Sequence, residues 1–184
     1  MKVREALALI SVTGLSIVGG SGIDTALADK GPSLKVHLIG YQEVPAISTT
    51  GNGVFRAKID EDKQTIEYTL SYSDLEGDVT QAHIHFGQFS VAGGVATFLC
   101  TNLGNGPAGT QPCPASPATI TGTIHPADII GPVPQGITAG QFDELVAAIR
   151  AGIAYANVHS TKWPGGEIRA QLPGSHGHHH HDED

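Results

Sequence analysis

Positive charge is scarce in this chain: 10 lysines and arginines stand against 18 aspartates and glutamates in 184 residues, a formal net charge of −8. Without a basic cluster, nucleic acid and anionic membrane are excluded as partners, since both are recognised through concentrated positive charge. Aromatic residues are few, at 5%, and Tyr155 and Trp163 read as packing residues, not cofactor contacts. Long apolar runs are missing beyond the first residues, so no later segment is expected to span a bilayer. Ser-His-Asp spacing, a Gly-rich phosphate loop, a His-Glu-x-x-His pair and internal repeats are also missing, which removes the common hydrolase, nucleotide and zinc-protease readings. Only two cysteines occur, Cys100 and Cys113.

What is present begins with an export signal. Lys2 and Arg4 precede an apolar run over residues 6–18, and Ala26-Leu27-Ala28 offers a small-x-small cleavage site, so residues 1–28 are expected to be a signal peptide. The expected location is therefore secreted or otherwise outside the cytoplasm. An exported chain with an even cysteine count pairs its cysteines, which predicts a Cys100–Cys113 disulfide; two thiolate metal ligands are the alternative.

Alternation of apolar and polar residues predicts strands over 34–38, 55–59, 66–72, around 82–86, over 95–99, 119–124, 153–159 and 167–172. One helix is marked. Thr138-Ala139-Gly140-Gln141 fits a capping box, Phe142, Leu145, Val146 and Ile149 make one apolar stripe, and Gly152 stands at its end. Many short strands with one helix point to an all-β, antiparallel sandwich or barrel. The tail, residues 174–184, carries His176 and His178-His179-His180-His181 followed by Asp182-Glu183-Asp184. It cannot bury a core and is expected to be disordered; a purification tag and a native chelating tail are the two readings of it.

The chemistry concentrates at Ala82-His83-Ile84-His85-Phe86-Gly87. On a strand His83 and His85 share a face, about 6.6 Å apart at the backbone, close enough to lean onto one metal ion. The alternative is a hydrogen-bonded polar network, because a buried ring nitrogen needs a partner.

Gln42-Glu43-Val44-Pro45, Ala82-His83-Ile84-His85, Gly152-Ile153-Ala154-Tyr155-Ala156-Asn157-Val158-His159-Ser160 and Pro164-Gly165-Gly166-Glu167-Ile168-Arg169-Ala170-Gln171 together resemble the CHRD domain, found in the animal protein chordin and in exported microbial proteins. The resemblance runs from about Leu34 to Leu172, within a domain taken as residues 29–173. It implies an immunoglobulin-like or superoxide-dismutase-like β-sandwich. His83-Ile84-His85-Phe86-Gly87 is also similar to the copper strand of copper-zinc superoxide dismutase. No histidine lies between His85 and His125, however, where that enzyme's zinc loop would fall. His37 and His125 read as surface residues.

With the resemblance, the candidate metal site is His83, His85 and His159, three imidazoles suited to copper, or alternatively zinc. Asn157 or Glu167 is expected to hold the outer ring nitrogens, and Glu167 with Arg169 is expected to form an ion pair. Three functions are weighed: a metal-binding protein that stores, delivers or buffers the ion, a copper redox enzyme, and a metal-free module with a protein partner outside the cytoplasm. The competing structural reading sets the histidines in a polar network with Glu167, Arg169 and Gln171.

Overall fold

The computed structural model describes residues 33–174. The expected signal peptide and all of the His-rich tail except Gly174 lie outside the described residues. Every predicted strand forms: β1 (Ser33–Ile39), β2 (Asn52–Asp60), β3 (Thr65–Ser73), β4 (Val79–Phe86), β5 (Gly94–Thr101), β6 (Ala118–Ile124), β7 (Ala154–Ser160) and β8 (Ile168–Gln171). One helix, α1 (Phe142–Arg150), falls between β6 and β7.

All strand pairings are antiparallel, in the order β5-β4-β7-β8-β1-β2-β3-β6. The joint between β8 and β1 is narrow, resting on the single pair Ile39 and Arg169. It divides the sheet into two four-stranded halves that share one core. Leu38, Phe55, Leu70 and Ile120 come from one half; Ile84, Leu99, Val158 and Ile168 come from the other. The result is an all-β sandwich close to a closed barrel.

The open side between β5 and β6 would leave strand edges bare, a hazard that folds blunt with covering groups. Here Gln111 spans the gap: its Nε2 donates to the carbonyls of Leu99 (3.2 Å) and Thr121 (3.0 Å). The Tyr68 hydroxyl donates to the same Leu99 carbonyl at 2.8 Å. Cys100 and Cys113 are disulfide-bonded, with Cα atoms 5.1 Å apart, which ties the Gln111 loop to β5.

Helix α1 starts later than the capping box predicts. Gln141 Oε1 does accept from the Thr138 amide, at 2.6 Å. Gly140, however, has φ +85°, outside the right-handed helical region, so regular helix begins only at Phe142. Its end agrees with the sequence. The amides of Gly152 and Ile153 donate to the carbonyls of Ile149 and Ala148, a Schellman closure. Phe142, Leu145, Val146 and Ile149 join the core.

The half built from β4, β7 and β8 departs from a simple inside–outside alternation. Ala82, Ile84, Ala156, Val158, Ile168 and Ala170 point into the core. A period of two then sends His83, His85, Tyr155, Asn157, His159 and Arg169 to the outer face. That face is covered too: every residue of β7 is buried. The covering comes from residues 87–93 between β4 and β5, residues 40–46 after β1, and the turn 161–166 between β7 and β8, whose contacts with the outer face follow.

Candidate metal centre

β4 and β7 run antiparallel with His83 opposite Asn157, His85 opposite Tyr155 and Gln81 opposite His159. His83 and His159 are therefore diagonal neighbours on one sheet face, within reach of long side chains. His83 Nδ1 lies 3.2 Å from His159 Nε2. One ligand-capable nitrogen from each of His83, His85 and His159 lies within 4.8 Å of the others. A tetrahedral ion with bonds of 2.0–2.1 Å would set its nitrogens about 3.3 Å apart. Drawing together a group spread over up to 4.8 Å asks for side-chain movement on the order of 1 Å.

Two backbone carbonyls fix the rings. Gly93 O faces His85 Nδ1 at 3.0 Å, and Pro164 O faces His159 Nδ1 at 2.9 Å. A carbonyl only accepts, so both Nδ1 atoms carry the proton and both Nε2 atoms present a lone pair. His159 Nε2 faces His83 Nδ1, which then donates to it and leaves His83 Nε2 bare. His83 Nε2 and His85 Nε2 are fully buried and have no hydrogen-bond partner. Lone pairs withdrawn from water and left unmatched cost free energy; a metal ion would satisfy them.

The electrostatics keep the rings neutral. Burial, reinforced by His159 and His85, pushes His83 down to about 2. Burial also takes His85 down to about 4, against the opposing pull of its bond to Gly93, and Arg169 adds to the depression. His159 is lowered by burial as well. Neutral imidazole is the form that ligates metal.

Aromatic and cationic groups pack the rings. Phe98 meets His83 at right angles with centroids 4.4 Å apart. Tyr155 stacks on His85 at 4.7 Å and 5°, and the Arg169 guanidinium lies over the far side of Tyr155, 3.4 Å from its centroid. The same residues clasp the strap 87–93. Arg169 donates from Nη1 to Val91 O and from Nη2 to Gln88 O, each at 3.1 Å, and Gln171 Nε2 donates to Gly87 O at 2.9 Å. The Gly93 amide donates to the Tyr155 hydroxyl at 3.0 Å.

The structure therefore brings the three proposed ligands together but corrects their surroundings. Glu167 holds none of the rings. It is buried, and its Oε1 accepts from the Thr49 hydroxyl and the Glu76 amide, both at 2.7 Å. Nor does it pair with Arg169, which is held by the strap carbonyls. Asn157 turns away as well, donating from Nδ2 to Glu43 and to Ile168 O. The groups that orient His85 and His159 are backbone carbonyls, which no side-chain pattern announces. His37 and His125 are exposed and outside the cluster, as expected.

Glu43 was missed as a buried acid. It is 7% exposed, and burial pushes its carboxyl up to about 7, against the opposing Arg169 charge and Asn157 hydrogen bond. Its signal was the Gln42-Glu43-Val44-Pro45 block, which carried the family resemblance but was given no role at the site.

The family model described as the CHRD domain matches residues 34–172, which include all three histidines and both cysteines. No curated protein and no solved structure matches the chain. Among the described residues, no helix is long and apolar enough to cross a membrane.

Proposed function

From a chain that belongs to the CHRD family, we propose an exported protein that binds one copper ion through His83, His85 and His159, with zinc as the competing ion, and stores, delivers or buffers it. The observation that carries this reading is the pair of bare, buried ring nitrogens, His83 Nε2 and His85 Nε2, inside a three-histidine cluster whose third member, His159, keeps its Nε2 against the His83 ring. A polar network built only for stability would match those lone pairs with donors. The Cys100–Cys113 disulfide supports an oxidising compartment outside the cytoplasm. A metal-free interaction module is the second reading, favoured by the exposed apolar side chains of Tyr41, Phe89 and Val91.

The test uses the chain with its five tail histidines changed to alanine, so that only the folded site reports. One equivalent of copper should be retained through gel filtration, with or without a reductant, and the melting temperature should rise by mass action. His83→Ala combined with His159→Ala should abolish that retention. Undiminished copper in the double variant rules the site out, and a parent chain that takes up no metal leaves the interaction module.

A further inference from the structure

We propose that the ion this site takes is monovalent copper, Cu(I), in preference to Cu(II) or Zn(II). The inference rests on the metal-binding reading above and adds the charge and coordination demand of the ion.

The first ground is the donor set. Among the described residues the cluster consists of three histidines alone, with no carboxylate or thiolate in the group. Three neutral imidazoles bring no negative charge, so a bound ion keeps its full charge in a buried place. The cost of burying an ion grows with the square of its charge, so a dication pays about four times what a monocation does. Carboxylates or thiolates are the usual means of offsetting that cost.

The second ground is the charge behind the rings. Arg169 lies on the far side of the Tyr155 ring, which itself stacks on His85. Its guanidinium is held by carbonyl and amide oxygens, those of Val91, Gln88 and Gln171, none of them an anion. Glu43 is the acid that acts on Arg169; with burial pushing its carboxyl up to about 7, it offsets that charge only in part at neutral pH. With Arg169 3.4 Å from the Tyr155 centroid and that ring 4.7 Å from His85, the guanidinium is roughly 8 Å from the His85 ring, and at an effective dielectric near 20 one additional unit of charge there is disfavoured by up to about 30-fold.

The third ground is coordination number. Zn(II) completes four positions, and its three-ligand protein sites take a water or substrate as the fourth. Cu(II) prefers tetragonal sets of N and O donors. Cu(I), a filled-shell ion, is content with three. Here His83 and His85 are 2% and 8% exposed and His159 is 6% exposed, with the strap, the Pro164 turn and Phe98 packed around them. A fourth ligand from solvent would have to displace that packing.

The experiment is a competition titration of the full chain carrying alanine at the five tail histidines. Cu(I) is measured anaerobically with ascorbate against a chromophoric Cu(I) chelator; Cu(II) and Zn(II) are measured against chelators of their own. The expected result is one Cu(I) per chain, held more tightly than either divalent ion by about tenfold or more. His85→Gln and His159→Gln, each checked for folding by circular dichroism, should lose that affinity. Equal or tighter binding of Cu(II) or Zn(II) at the same histidines overturns the Cu(I) assignment and leaves the metal site standing. Stoichiometric binding of none of the three ions overturns both.

Discussion

At the scale of single residues, the buried imidazoles make a definite statement about pH. Free imidazole titrates near 6.5, whereas folded His85 and His83 resist protonation down to about 4 and about 2. Below 6.5 the unfolded chain binds protons that the fold refuses, so stability falls with falling pH by about 1 kcal/mol per pH unit for each ring. Glu43 acts in the opposite sense. Its folded carboxyl titrates at about 7 against 4.5 in the open, so its contribution is present below 4.5 and is lost as pH rises toward 7. Glu43→Gln removes this opposing contribution. Urea midpoints of the metal-free protein should then fall more steeply between pH 6.5 and 5 than those of the parent. A profile no steeper than the parent's would mean that Glu43 is already ionised in the fold.

Among the elements, the strap 87–93 decides how well the site is held. Gly93 supplies the carbonyl that orients His85 and the amide that meets Tyr155. A Cβ at Gly93 would lie 1.8 Å from Phe86 O, so any side chain there forces the strap off the sheet. Gly93→Ala should cost on the order of 2 kcal/mol of stability and, by releasing His85 Nδ1, weaken copper binding by about tenfold or more. Calorimetric unfolding and metal titration on one preparation check both numbers. Copper affinity at the parent level would show that the Gly93 carbonyl is not needed to orient the ring. The strands themselves were legible because alternation is a local, two-residue property, as in Ile66, Tyr68, Leu70 and Tyr72. The start of α1 was not, because Gly140 at φ +85° overrides a capping pattern that is otherwise well formed. Glu167 was misjudged for a related reason. Its position beside Arg169 in the chain implied an ion pair, but Thr49 and the Glu76 amide, brought over by distant loops, claim it first.

For the whole molecule, the unclosed side between β5 and β6 depends on one loop and the bond that ties it. The Cys100–Cys113 bridge restrains a stretch with a sequence separation of 13, worth about 3 kcal/mol in the chain-entropy account. Cys100→Ser with Cys113→Ser should lower stability by about that amount, as should reduction of the parent. Equilibrium urea unfolding with and without reductant measures it. Cys100 lies in the same half as the histidines, opposite Ala82 on β4, but the two cysteines are part of the core while the histidines occupy the outer face, so the variant should keep its metal affinity under conditions where it stays folded.

The sequence alone determined the strands, the helix stripe, the cysteine pair and the shared facing of His83 and His85, all of which follow from short-range periodicity or from counting. It also named His159. Whether His159 meets the other two was decided only by the tertiary structure, since 76 residues separate it from His83 and their contact exists because β4 and β7 are neighbours in the sheet. The same holds for the burial of the outer face, the Tyr155–Arg169 stack and the carbonyls of Gly93 and Pro164. Strand order and loop placement are set by long-range pairing and core packing, which no two-residue period encodes.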